Sequence, residues 1–171
     1  MPDSVHAVRD FKYRLNQWTG WVENPPSKSV LFALVDGSRV VGFAVAKPNT
    51  DKAIDVPGEM HACYILPEYR GGEIGPLALT AIANFLKEND LWPVCLWAFR
   101  SNPYRRIYPA LGCKAEVFRD RHIGGAALPE IGYRVTDYEL LINRLDRMRD
   151  SSSLRQTGSL RKRRPLLRLH G

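Results

Sequence analysis

Residues 65–76 read ILPEYRGGEIGP, and the fold turns on this stretch. An apolar strand end leads into a turn holding Gly71, Gly72 and Gly75, and the turn opens a helix. The first amides of an α-helix lack partners within the helix and carry a partial positive charge. Glycine lets the backbone come close to whatever sits there. The pattern therefore points to a cradle in which main-chain N–H groups of residues 71–75 hold a phosphate or pyrophosphate. A tight turn that only needs positive φ is the alternative. The sequence is neither a Walker loop, since Gly-Lys-Ser/Thr is missing, nor a GxGxxG dinucleotide turn. Two residues oppose anion binding. Glu73 brings a carboxylate into the turn, and Pro76 has no N–H to donate. Arg70 offsets part of that repulsion.

Outward from the turn, the pattern is that of an α/β protein. Upstream, SVLFALVDGSRVVGFAVAK is two apolar, β-branched runs around Asp36-Gly37, a hairpin signal. GEMHACYIL follows as a third strand, and strict alternation puts Glu59, His61, Cys63 and Ile65 on one face. Before the hairpin, Val8, Phe11, Leu15 and Trp18 recur at the spacing of one helix face. Downstream, Ile74, Leu77, Ala78, Ala81, Ile82 and Phe85 form a helical stripe running to about Glu88. WPVCLWAF reads as a buried strand, and RSNPYRRIYPALG as a short helix capped by Ser101 or Asn102 and ended by Gly112. KAEVFRDRH and IGYRVTDY read as two closing strands joined by the turn RHIGGAALPEIG. A last helix presents Tyr138, Leu141, Ile142, Leu145 and Met148.

The 171 residues suffice for one domain with its own core. Apolar runs such as Val30–Val35 and Val40–Ala46 fall far short of the ~20 residues of a membrane span, so no membrane partner is expected. MPDSVHAVRD has no apolar stretch, so no secretory signal is expected either. Cys63, Cys95 and Cys113 lie in apolar segments without CxxC spacing and read as buried free thiols in a reducing compartment. A cytoplasmic location follows. The four histidines are too scattered to form a metal site, and no metal is expected. The net charge of +7 is concentrated at the C-terminus: residues 149–171 hold seven basic side chains against Asp150, which leaves residues 1–148 at +1. The chain thus divides into a domain over 1–148 and a basic, flexible tail over 149–171, whose Arg161–Arg164 run suits RNA or another acidic partner. A solvated tail is the alternative.

ILPEYRGGEIG resembles motif A of the GNAT superfamily of N-acetyltransferases, through Ile65, Pro67, Tyr69, Arg70, Gly71, Ile74 and Gly75. Glu73 stands where that motif has glycine. SNPYRRIYPALGCK is similar to the family's segment ending in Tyr-x-x-Leu-Gly, through Tyr108, Leu111 and Gly112, and the element order is also the family's over roughly residues 5–136. The resemblance implies a single GNAT-type domain, a mixed, mostly antiparallel twisted sheet with helices on both faces. It further implies binding of acetyl-CoA and direct transfer of acetyl to a primary amine, the acceptor being a small molecule, a protein or an aminoacyl group. The amides of Arg70, Gly71, Gly72, Glu73, Ile74 and Gly75 would hold the pyrophosphate. The main chain near Ile65 and Leu66 would pair with the pantetheine arm in the splay between two strands, and Ser101 or Asn102 would touch that arm. A homodimer is also common among such proteins.

Direct transfer needs a neutral amine and an acid for the leaving thiolate. By resemblance Tyr108 is that acid, and packing beneath the last strands is its alternative role. Glu59 lies on the strand where histone-type members carry their catalytic glutamate, so it is the candidate base, acting through water, with His61 as competitor. The helix ending in Trp18 and Trp21 would form one wall of the acceptor pocket. The other reading of the whole chain is a GNAT-fold protein that no longer acetylates and binds a partner protein or nucleic acid instead.

Overall fold

The computed structural model describes residues 3–157 and 167–170. Its first segment is two helices, α1 (Asp3–Val8) and α2 (Phe11–Glu23), where the apolar spacing predicts one. Asp10 divides them: its carboxylate accepts the Tyr13 N–H at 2.7 Å and caps α2. Next come β1 (Val30–Asp36), β2 (Arg39–Pro48), β3 (Gly58–Ile65), α3 (Ile74–Glu88), β4 (Val94–Phe99), the single-turn α4 (Ile107–Ala110), β5 (Lys114–Ile123), β6 (Ala126–Val135), α5 (Tyr138–Thr157) and β7 (Leu167–His170).

The strands form one sheet in the order β5-β6-β4-β3-β2-β1-β7. Among the described residues every neighbouring pair is antiparallel except β3 and β4, which run parallel because α3 crosses between them. That pair touches only at Gly58↔Val94 and Glu59↔Cys95. Beyond these two rungs the strands diverge, and a cleft opens in the middle of the sheet.

Helices α3 and α5 cover one face. Ile82, Leu86, Leu141 and Leu145 are fully buried there against Leu34, Val41 and Val94, and burying each such side chain contributes about 1.5–3 kcal/mol. Of the stripe expected on α3, Ile74, Ala78 and Ile82 are core residues, while Leu77, Ala81 and Phe85 are half-buried and the buried face is completed by Ala83 and Leu86. Helix α1 instead packs Val5 against Ile123 and Leu128 in a separate cluster. Helix α2 reaches the sheet through Trp18, whose ring meets Phe43 edge-on at 4.8 Å. It buries no residue fully, and Phe11 is 81% exposed. The apolar face expected there is therefore only partly a core face.

Three further expectations change. The closing strands are longer than their β-branched cores suggest, because RHIGGAALPEIG is mostly strand. The chain reverses within Gly124-Gly125, both left-handed at φ +57° and +77°, a turn that glycine favours. Pro129 sits opposite Asp120 in the resulting ladder. On β3, strict alternation fails: Ala46 faces Met60 while Val45 faces Ala62, so His61 is an extra, bulged residue. A bulge of this kind re-aims the side chains beyond it, and Cys63 leaves the face of Glu59. At the C-terminus, the boundary expected after Met148 falls inside α5, which continues to Thr157, and Leu167–His170 pair with β1. The basic run Arg161–Arg164 lies outside the described residues. No described helix is long and apolar enough to cross a membrane.

Candidate active site

The diverging strands enclose a cleft of about 290 Å³. Met60 to Tyr64 of β3 form one wall and Leu96 to Phe99 of β4 the other, with Leu79 and Ile82 of α3 behind them. Tyr108 and Asn102 border it at one end, and Arg9, Arg14 and Trp18 at the end formed by the first helices.

Past the end of β3, the glycine turn takes a defined shape. A 3-10 turn over Pro67–Tyr69 leads to Arg70, whose N–H donates to Pro67 O at 3.2 Å. Gly71 has φ +79°, a conformation that side chains disfavour. Glu73 is right-handed at φ −76°, ψ −20°, so its Cβ causes no strain where the family motif has glycine. The first bond of α3 runs from Leu77 N–H to Glu73 O at 3.0 Å. The amides of Ile74 and Gly75 precede that bond and have no acceptor within the helix. Pro76, the next residue, is buried in this turn, where a missing N–H costs the helix no bond. A Cβ on Gly75 would rest 3.6 Å from Ile65 Cδ1, an ordinary contact, so packing does not require glycine there. Glycine in a helix costs about 1 kcal/mol against alanine. An open backbone at the helix start, free for a ligand to approach, accounts for keeping it. These residues fit a pyrophosphate.

The main-chain groups expected for the pantetheine arm are engaged within the protein. Ile65 O accepts from Arg70 Nε at 2.8 Å, and Leu66 N–H donates to Val41 O at 2.9 Å. The Arg70 guanidinium lies over the Tyr104 ring, 5.2 Å from its centroid. Of the two cap candidates, Asn102 borders the cleft, and its Oδ1 accepts Tyr104 N–H at 3.0 Å. Ser101 is exposed and does not line the cleft.

Glu59 and His61 are together. Glu59, 7% exposed, receives His61 Nδ1 on Oε1 at 2.7 Å and Lys47 Nζ on Oε2 at 2.7 Å. Burial pushes its carboxyl pKa up, but the hydrogen bonds from His61 and Lys47 outweigh burial and hold it below the ordinary value. A carboxylate with both oxygens engaged and a lowered pKa is a poor base. With Nδ1 donating to Glu59, His61 keeps Nε2 as its available ring nitrogen.

The Tyr108 ring lies tilted against that of Tyr133, centroids 5.3 Å apart, and among the described residues its hydroxyl has no hydrogen-bond partner. Burial, with smaller contributions from Cys63, Cys113 and Tyr133, pushes its pKa up to about 12. It therefore stays a proton donor throughout the physiological range. Cys63 corrects the expectation of three buried thiols: Cys95 and Cys113 are buried, whereas Cys63 has solvent access through the cleft. The protein around it still desolvates its thiol and raises the pKa to about 11, so it is not a thiolate nucleophile.

Glu130 lies on β6, in a segment whose glycines and proline predict a turn, so spacing does not single it out. It is 2% exposed and borders the cleft, where Oε1 accepts from Arg119 Nε at 2.7 Å. Arg119 also pairs with Asp51 and lies 3.8 Å over the Trp97 ring, bracing β5 against β4. Among the described residues no group of three or more His, Cys, Asp or Glu is placed to hold a metal ion.

Comparison with known proteins agrees with this geometry. Residues 2–112 match the model of the acetyltransferase (GNAT) family. An uncharacterized N-acetyltransferase of Archaeoglobus fulgidus is 26% identical over 113 residues, 62% of this chain and 76% of the relative. Among solved structures, the ribosomal-protein-alanine N-acetyltransferase of Brucella melitensis superposes with a TM-score of 0.57 at 15% identity, covering 75% of this chain and 79% of that one. A Salmonella typhimurium acetyltransferase, solved with its cofactor acetyl-CoA, superposes at 0.56 with 14% identity over 77% of this chain and 82% of its own. At such identities the structural likeness bears on the fold.

Proposed function

Because the chain belongs to the acetyltransferase (GNAT) family, we propose that it is an acetyl-CoA-dependent N-acetyltransferase acting on a primary amine. The observation that carries this reading is the cleft where β3 and β4 part after two rungs, with the glycine turn joining the end of β3 to α3 and Tyr108 and His61 on the cleft walls. Acetyl-CoA supplies an acetyl group already activated as a thioester. The Ile74 and Gly75 amides and the left-handed Gly71 form the seat for the pyrophosphate. The edge of β3 beyond Glu59, unpaired toward β4, is the rail for the pantetheine arm.

Two proton transfers accompany the reaction. The amine nitrogen bonds to the acetyl carbon as the carbon–sulfur bond breaks. Tyr108 gives its hydroxyl proton to the departing sulfur, and His61 Nε2 takes the proton that the amine loses. Glu59 acts through His61, as a buried carboxylate fixes the tautomer of its histidine partner. The proposal includes a cytoplasmic setting, which three free cysteines support.

Release of CoA from acetyl-CoA in the presence of a panel of primary amines tests the reading. Wild-type protein is expected to acetylate at least one of them, with the product identified by mass. His61→Gln is expected to lower kcat/KM about 10²-fold. Absence of turnover with every amine would favour a GNAT-fold binding module. An unchanged kcat/KM in the variant would remove His61 from the mechanism.

A further inference from the structure

The transfer chemistry leaves two cations of the cleft unused. Arg9, between α1 and α2, and Arg14, on α2, are both half-buried at its helical mouth. Among the described residues neither has a carboxylate partner. Arg14 donates to the Gln17 side chain at 3.0 Å, and no ion pair includes Arg9.

The carboxylates nearby are already matched. Glu59 holds Lys47 and His61. Glu130 holds Arg119, with Arg121 a further 3.6 Å from its second oxygen. Asp10, adjacent in sequence, has its carboxylate engaged by the Tyr13 amide and does not border the cleft. Two half-buried guanidinium groups that line one cleft without carboxylate partners lose hydration there. A neutral ligand does not offset that cost, whereas an oxyanion does, and the guanidinium fork binds carboxylate and phosphate through paired N–H bonds.

Resting on the N-acetyltransferase reading above, we propose that the acceptor is a primary amine that also carries a carboxylate or phosphate. Arg9 and Arg14 bind that anionic group while the amine lies toward His61. The cleft then has two poles, an anion pole on the first helices and a reaction pole on β3.

Two measurements test this. In the first, succinate and inorganic phosphate are titrated separately into full-length wild type and into the Arg9→Ala/Arg14→Ala double variant, with CoA present so that the glycine turn is filled. The variant is expected to bind at least about tenfold more weakly, the size of one charge-assisted hydrogen bond. The Arg9→Lys/Arg14→Lys variant should recover part of the loss. Equal affinity in wild type and double variant, or no binding by wild type, overturns the proposal. In the second, kcat/KM is compared for β-alanine against propylamine and for phosphoethanolamine against ethanolamine. The anionic member of at least one pair is expected to be preferred about tenfold or more through KM, and the preference should vanish in the double variant. The pair that shows it distinguishes carboxylate from phosphate. Neutral amines used as well as anionic ones overturn the anion pole alone. Turnover of no amine, with the titration still separating wild type from variant, overturns the transferase reading and keeps the anion pole.

Discussion

Tyr108→Phe is expected to lower kcat for acetyl transfer by about 10² or more, the scale of a lost general acid, while acetyl-CoA binds within about twofold of wild type. The hydroxyl has no hydrogen-bond partner among the described residues, so removing it breaks no structural bond. The ring remains to pack against Tyr133, and stability should change by less than about 1 kcal/mol. Burial raises the Tyr108 pKa to about 12, so the wild-type hydroxyl is protonated at every pH where the protein is assayed. The loss in the variant should therefore be nearly independent of pH below that value. Steady-state kinetics, with acetyl-CoA affinity measured separately by calorimetry, checks this. A fall in affinity with kcat unchanged would make Tyr108 a packing residue.

Glu59→Gln should destabilise the protein by about 3 kcal/mol at neutral pH, because it leaves Lys47 poorly compensated in a buried site. Hydrogen bonds from His61 and Lys47 hold the Glu59 pKa below its unfolded value despite burial. A carboxylate shifted in that direction contributes stability that is fully present above the unfolded value and is lost as pH falls through the folded one. The difference between wild type and variant should thus be widest near neutrality and should narrow as pH drops below the ordinary carboxylate range. Urea unfolding at several pH values reads this directly. The same variant leaves His61 without its anionic partner, and kcat is expected to fall about tenfold with KM little changed. A difference in stability that stays constant down to low pH would show that the carboxylate charge contributes nothing there.

The parts of the fold legible in the sequence are those set by local rules. The Asp36-Gly37 hairpin, the buried stripe of α3 and the glycine turn all follow from periodicity and turn chemistry between near neighbours. What escaped depends on partners distant in the chain. The bulge at His61 is a matter of register against β2, and without it Cys63 is misplaced. Glu130 lies in a segment whose glycines and Pro129 carry a turn signature, although β5 draws that segment into a ladder. The attachment of Arg70 to Ile65 O closes a loop that residue spacing does not encode. Arg9, Arg14 and Trp18 meet β3 and β4 only because α1 and α2 cross that end of the cleft. Glu59 and His61 were legible as neighbours, but the ion pair that engages the second oxygen of Glu59 was not, because Lys47 comes from the adjacent strand.

The pyrophosphate seat is the premise of the whole account, since it must work with Glu73 in place of glycine and Pro76 without an N–H. Thermal melting of the purified protein with and without saturating acetyl-CoA tests it most directly. A ligand at about 100 times its dissociation constant adds about 2.7 kcal/mol to stability, which for a domain of this size raises the melting temperature by several degrees. The account predicts that upward shift with acetyl-CoA and with CoA. A melting temperature unmoved by either at millimolar concentration would contradict it.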